Sequence, residues 1–408
     1  MPQLEDQAPA SLLDQDIYKF CMQQAVLEHY PHVTVEYGFI NRDPTMRFNR
    51  LAFELLQQKI SALADIAIRD DELAYLRASC PFFSAEYMRF LQAYRYNPAA
   101  DVDCVLDDAT GQIELRVRGQ WSQVILYEIV LLALVAEVYY AVIDTDWDYS
   151  GQREKIAAKG QQLVAAGCNF AEFGTRRRRS FKTQDIVMNE LTNLPGGPGR
   201  FAGTSNVYLA RKYNVAPIGT VGHEWTMGIA ALEGTYENGN SLALRKWYST
   251  FHGNLGIALT DTFGTKAFFA NFGHDLATKY SGMRHDSGDP FTFIETASRH
   301  YNRLGIDVST KTIVFSDGLD PESAIAIKAH CDRFGLKCSF GIGTNFTNDF
   351  VRASDAAQKS KAVNIVIKLL RCNDRYCVKL SDDKGKHTGN ALEVQRAQDD
   401  LAGKGLLA

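Results

Sequence analysis

The sequence predicts an α/β protein: an irregular (β/α) barrel of about seven parallel strands at 146–369, beside an α+β domain at 1–145 that the segment 370–408 completes. Three observations predict it. From residue 145 onward, short apolar runs alternate in series with helical patterns, the rhythm of a parallel sheet. Two of those helices open with Asp289-Pro290 and Asp320-Pro321, an N-cap followed by proline at the first helical position. No dominant glycine fingerprint follows the first strand, as an open doubly wound sheet would carry, so a barrel fits better.

Taken in order, residues 11–30 read as a helix that Asp14 or Asp16 caps and on which Tyr18 packs. Residues 33–40 alternate like a strand, and helical patterns follow at 46–65, 70–78 and 84–94. Strands at 102–107 and 112–117 turn around Thr110-Gly111. The apolar run 124–143 carries Glu128 and Glu137; charges at mid-membrane are expensive, so it reads as a buried core helix. In the second part a helix at 151–166 leads to a strand ending in Phe173-Gly174. Further strands end near Ala202, Ile218, Thr260, Met283, Phe315 and Ile342, with helices at 182–192, 205–213, 224–233, 264–277, 290–304 and 320–335 between them.

The bulk properties exclude several function classes. The chain has 408 residues, is 46% apolar and 23% charged, and carries a formal charge of −4, so nothing draws it as a whole to nucleic acid or to an anionic membrane. Its eight cysteines form no C-x-x-C pair, which argues against a zinc site and a disulfide framework and fits a reducing cytoplasm. The first residues, MPQLEDQAPAS, lack an apolar signal core.

The distinctive polar clusters follow the C-terminal ends of the strands. They are Gly174-Thr175-Arg176, Gly203-Thr204-Ser205, His223-Glu224, Asp261-Thr262, the run from Arg284 through Asp286 to Asp289, Ser316-Asp317-Gly318 and Gly343-Thr344-Asn345. In a barrel those ends share one face, where active sites are built. Any one cluster reads as a turn and a helix cap; seven on one face describe a pocket. Glycine-freed amides and a helix N-terminus in the last two loops suit phosphate. Glycines at 219 and 222 let backbone approach a ligand beside His223. Asp261 and Asp286 could take Mg²⁺, sugar hydroxyls or both. Arg176 and Arg284 could clamp an anion, and phosphate explains the run Arg176 to Arg179 better than nucleic acid does. No lysine stands at a strand end, which argues against a Schiff-base aldolase.

Several motifs in order resemble one family. Tyr18 in DQDIYKF, Phe173 in EFGTRRR, GTSN at 203–206, GHEW at 222–225, LTDT at 259–262, RHDSGDP at 284–290, FSDGLD at 315–320 and GIGTN at 341–345 resemble nicotinate phosphoribosyltransferase, a type II phosphoribosyltransferase. The likeness runs over nearly the whole chain. It implies a ligase-type reaction of NAD salvage. Nicotinate, phosphoribosyl pyrophosphate, ATP and water give nicotinate mononucleotide, pyrophosphate, ADP and phosphate, with Mg²⁺, through a phosphohistidine at the position of His223. It implies that the nicotinate ring lies between Phe173 and Tyr18, the latter from a second subunit, so that the active unit is a cytoplasmic homodimer. It places Thr204, Arg284 and Arg176 on the substrate, Asp261 and Asp286 on ribose hydroxyls and magnesium, and Ser316, Asp317, Gly318, Gly343 and Thr344 on phosphate. Relatives that use nicotinamide carry aspartate where this chain has Ser205; a serine hydroxyl can donate to a carboxylate, which favours nicotinate.

Overall fold

The structure, a computed structural model, describes residues 9, 11–383 and 387–407. The first helix, Ile17–His29, has Asp16 at its N-cap position, but no side chain closes the cap. Both candidate caps are used elsewhere: Asp14 binds Arg178 and Asp16 accepts from Ser205. Strands β1 (Thr34–Asn41), β2 (Val102–Asp107) and β3 (Gln112–Gln120) follow, with the expected helices at Arg50–Ser61, Asp70–Ser79 and Ala85–Ala93 between β1 and β2.

The parallel strands are β4 (Asn169–Glu172), β5 (Arg200–Thr204), β6 (Ala216–Pro217), β7 (Ile257–Leu259), β8 (Gly282–His285), β9 (Thr312–Phe315) and β10 (Lys337–Ile342). Their order, β6-β5-β4-β10-β9-β8-β7, is the cyclic order of a barrel left open between β6 and β7. The sheet curls so that its C-terminal strand ends converge. A helix absent from the sequence reading, Gly239–Phe251, lies between His223–Glu233 and β7. Its flanks are rich in glycine and asparagine, and its C-cap, His252, is left-handed at φ 50°, so the stretch reads as a loop.

After β11 (Phe350–Val351) and β12 (Lys359–Ser360) the chain returns to the first domain as β13 (Ile365–Cys372) and β14 (Arg375–Tyr376). The resulting antiparallel sheet has the order β14-β13-β1-β3-β2. The return thus starts at Ile365, ahead of the boundary expected at 370. It is also brief. The last helix, Ala391–Gly403, packs Ala397 and Leu401 with Ala230, Phe263 and Ala267 of the barrel instead of completing the first domain.

The apolar helix Tyr127–Val142 packs against helix Arg50–Ser61, against β13 of the antiparallel sheet and against the turn Thr175–Arg177 that follows β4. Among the described residues, the stretch Trp121–Val142 is long and apolar enough to cross a membrane, yet 89% of its most apolar window is buried inside the protein. Its two acids are paired: Glu128 with Lys19 at 2.6 Å, Glu137 with Arg178 at 2.6 Å.

Candidate active site

One cavity of about 800 Å³ opens where the strand ends face the antiparallel sheet. His223 lines it from the first position of helix His223–Glu233. Its Nε2 lies 2.8 Å from Asp261 Oδ1 and 3.6 Å from Asp286 Oδ2. Burial pushes the imidazole down to about 4, and the ammonium of Lys379 adds to that, outweighing the two carboxylates. The ring is therefore neutral at neutral pH. With Asp261 accepting from Nε2–H, the lone pair sits on Nδ1, which no protein group holds among the described residues. The sequence left the partner of His223 open; it is Asp261. Burial raises the carboxyl of Asp261, but His223 and Lys379 outweigh it and hold it well below the usual carboxylate range.

Asp286 approaches the same ring nitrogen from a greater distance. Its Oδ1 accepts from Arg284 Nη2 at 2.8 Å and Ser316 Oγ at 2.6 Å. Arg284 is fixed in turn by Ser316 Oγ at 2.7 Å, Thr220 Oγ1 at 2.9 Å and the Val221 carbonyl at 3.2 Å. One ligand atom each from His223, Asp261 and Asp286 lies within 4.8 Å of the others, a spacing that could hold a cation. Both oxygens of Asp261 and Oδ1 of Asp286 are already bonded, so the carboxylate donor left for magnesium is Oδ2 of Asp286. Mg²⁺ commonly takes one or two carboxylates and completes its shell with substrate oxygens and water, so this set fits it.

Tyr18, Phe173 and Arg176 line the cavity together. Gly341 on β10 makes room for Phe173, since a β-carbon there would lie 2.3 Å from the ring. The likeness implied that Tyr18 enters from a second subunit; here Tyr18 of the same chain lines the cavity. Gly219 lets helix Ile17–His29 in: a β-carbon there would lie 2.5 Å from Ile17, so this glycine serves the chain's own approach and not a ligand's.

Thr204 and Ser205 are buried behind that wall and do not line the cavity. Thr204 Oγ1 donates to Glu172 Oε2 at 2.6 Å, and Ser205 Oγ donates to Asp16 Oδ1 at 2.7 Å. The expected contact of both with substrate is corrected accordingly: their hydroxyl protons are used by carboxylates the sequence reading had not paired with them.

At the phosphate end Ser316, Asp317, Gly318, Gly343 and Thr344 all line the cavity. The helix after Gly318, Pro321–Arg333, does not offer a bare N-terminus, because Asp320 and Ser323 close a capping box on it. The wall facing these loops was missed. Arg42 beyond β1, Lys368 on β13 and Lys379 beyond β14 line it. Burial and the neighbouring Lys379 push the Lys368 ammonium down to about 7. The available signal was a lone lysine inside each of the apolar runs IVIKLL and CVKL. So lysines do reach the site, Lys368 from the antiparallel sheet and Lys379 from the segment that follows it, and neither from a barrel strand end.

The arginine run divides. Arg176 and Arg177 line the cavity. Arg178 is buried, forked onto Asp14 at 2.7 Å through each terminal nitrogen and bonded to Glu137. Arg179 stacks 3.8 Å from the Tyr140 ring centroid and 4.6 Å from that of Phe350. The last two are structural, which corrects the phosphate role expected of the whole run.

Residues 168–403 match the nicotinate phosphoribosyltransferase (NAPRTase) family, and residues 13–136 match the N-terminal domain of that family. The chain belongs to the nicotinate phosphoribosyltransferase family. It is 43% identical over 98% of its length to a Schizosaccharomyces pombe protein described as a probable nicotinate phosphoribosyltransferase, 99% of which is covered. It is 41% identical, over 97% of this chain and 99% of the other, to the nicotinate phosphoribosyltransferase of Methanosarcina mazei. The crystal structure of nicotinate phosphoribosyltransferase from Porphyromonas gingivalis superposes with a TM-score of 0.90 at 37% identity, covering 97% of this chain and 100% of that one. Both family domains contribute walls of the cavity, Tyr18 and Glu128 from the first and the strand ends from the second.

Proposed function

We propose that the chain joins nicotinate to the phosphoribosyl group of phosphoribosyl pyrophosphate, coupled to ATP hydrolysis through phosphorylation of His223. The observation that carries this reading is the bond between His223 Nε2 and Asp261. It leaves Nδ1 as a neutral nucleophile in a cavity that also holds an aromatic pair and an arginine.

In the transfer step the C1–O bond to pyrophosphate breaks as the nicotinate nitrogen bonds C1. The pyridine nitrogen is a free nucleophile, so no base is needed. Tyr18 and Phe173 orient the ring, and Arg176 faces the carboxylate. Arg42, Lys368 and Lys379 face the departing pyrophosphate, whose charge grows as the bond breaks. Asp286 would hold Mg²⁺ with substrate oxygens, and the ion would share that charge. In the coupling step His223 Nδ1 attacks the γ-phosphorus of ATP and ADP leaves; water later takes the phosphoryl group as phosphate. Asp261 stabilises the charge that develops on the ring.

The same reading includes a homodimer and a cytoplasmic location. The family likeness supports the first. Eight free cysteines support the second. Light scattering on the purified protein tests the dimer.

The activity is tested by pyrophosphate release with nicotinate, nicotinamide or quinolinate, with and without ATP. We expect release with nicotinate, increased by ATP. No nicotinate-dependent release would sink the reading. His223→Ala should lose acid-labile label from γ-labelled ATP; equal labelling would place the phosphohistidine elsewhere.

A further inference from the structure

Beyond β14 the chain leaves the antiparallel sheet and lays residues 377–382 across the ends of β7 and β8. Two backbone ties hold this strap without help from the catalytic residues. The Leu380 amide donates to the Thr262 carbonyl at 2.9 Å, and Lys379 and Thr388 exchange a pair of bonds at 2.9 Å. The Asp382 carboxylate adds a third tie by accepting from the Thr265 amide at 2.7 Å.

Within the strap, Ser381 turns its hydroxyl onto the pair Asp261 and Ser287. Its Oγ lies 2.8 Å from Ser287 Oγ and 3.2 Å from Asp261 Oδ2. Ser287 Oγ in turn donates to the same Oδ2 at 2.7 Å, and Lys379 Nζ stands 3.1 Å from it. Asp261 thus has one oxygen on His223 and the other gripped from the opposite side. Ser381 is 7% exposed and Ser287 2%, so water does not stand in for these hydroxyls. Ser381 reaches this place with φ at 61°, the left-handed region that glycine enters freely and a residue with a β-carbon does not. What serine adds over glycine at that backbone position is the hydroxyl.

We propose that Ser381, acting with Ser287, is a positioning residue for His223. The two hydroxyls fix the rotation of the Asp261 carboxylate, which fixes the tautomer and the tilt of the imidazole, so that Nδ1 and not Nε2 faces the cavity. The geometry makes the returning C-terminal segment part of the phosphoryl-transfer apparatus. This role rests on the phosphohistidine reading above for its purpose, but not for its geometry.

The test uses Ser381→Gly, which removes the hydroxyl and relieves the backbone, alongside Ser287→Ala. The first readout needs no ATP: the ¹⁵N shifts of the His223 ring, assigned by their loss in His223→Gln. The wild-type ring shows Nε2–H and a bare Nδ1; in Ser381→Gly the other tautomer appears. The second is the rate of label transfer from γ-labelled ATP, expected to fall about tenfold in either variant. In steady state this appears in the ATP-dependent kcat, while KM for nicotinate holds. The double variant should fall by less than the product of the two, because both hydroxyls act on one oxygen. Ser381→Gly should melt no lower than wild type, which separates positioning from folding. A changed tautomer with no label in the wild type would retain the positioning role and remove the phosphohistidine. An unchanged tautomer with wild-type labelling would overturn the proposal.

Discussion

Glu224 follows His223 in the chain, yet its carboxylate makes no bond to the imidazole and closes instead on the buried ammonium of Lys19. Lys19 also meets Glu128 at 2.6 Å, and Glu224 accepts from Tyr37 Oη at 3.0 Å and Trp121 Nε1 at 3.3 Å. The residue after Tyr18 is thereby tied to the residue after His223, with the apolar helix between them.

This network makes Lys19→Met a severe change. The variant leaves two buried carboxylates facing each other with only Arg176, 3.5 Å from Glu128, as a neighbouring cation, and removing one partner of a buried ionic group costs on the order of 3–5 kcal/mol. Thermal unfolding should show the loss, and Lys19→Met with Glu224→Gln should recover part of it. A drop of under about 1 kcal/mol would mean that the carboxyls take up protons at little cost.

Arg178 offers a second stability test with a different chemistry. Its guanidinium takes both Asp14 oxygens at 2.7 Å and Glu137 at 2.6 Å, with Gln184 Oε1 at 3.0 Å. Arg178→Lys keeps the charge but cannot make the planar fork. We expect a loss of about 2–4 kcal/mol in denaturant midpoint experiments, from buried acceptors left unpaired. Near-equal stability would show that one ammonium can serve all these acceptors.

The pH response of His223 follows from its burial. The folded ring titrates at about 4, below the ordinary value for histidine. Between about 6.5 and 4 the unfolded chain binds a proton that the folded chain does not. This contribution to stability is therefore complete above the upper value and is lost as pH falls through the lower one. Imidazole NMR should show a neutral ring from about pH 8 to 5. Lys379→Met removes a positive neighbour and should move the midpoint upward; a downward move would contradict the electrostatic account.

Gly341→Ala probes the ring pocket without touching a polar group. The new methyl would lie 2.3 Å from two Phe173 ring carbons, so the ring must swing. Since β10 is pinned between β4 and β9, the side chain gives way and the backbone does not. KM for nicotinate should rise about tenfold or more, with a smaller change for phosphoribosyl pyrophosphate. An unchanged KM for nicotinate would remove Phe173 from the ring site.

The alternation of strands and helices was legible because most barrel strands are short apolar runs closed by glycine or a hydroxyl residue, as at Gly174, Thr204 and Gly343. The pocket's barrel face followed, since strand ends share one side of a parallel sheet. The opposite wall was not legible. Lys368 comes from a strand whose partner, β1, lies more than 300 residues earlier, and Lys379 from a segment tied to Thr262 more than 100 residues back; no local pattern announces either contact. The same limit applied to Ser205. Its type and turn were read from the chain, but the carboxylate it serves, Asp16, is 189 residues away.

That pairing changes what Ser205→Asp is expected to do. Ser205 is 3% exposed and its hydroxyl donates to Asp16, whose carboxyl burial holds above its ordinary value. The substitution sets a second carboxylate against the first in place of a donor, so one of them must take up a proton or find new charge. Arg176 is the cation whose charge already acts on Asp16, and it is the group that faces the substrate carboxylate in the proposed reaction. Drawn toward the new acid, Arg176 would be lost to nicotinate. We expect a fall in stability of about 1–3 kcal/mol and a rise in KM for nicotinate of about tenfold or more, with nicotinamide less affected. Adding Asp16→Asn separates the two effects, since it removes the facing charge. If stability returns but nicotinate use does not, selectivity is set by charge at position 205 acting through Arg176. If both return together, the single variant lost nicotinate only because its pocket wall had loosened.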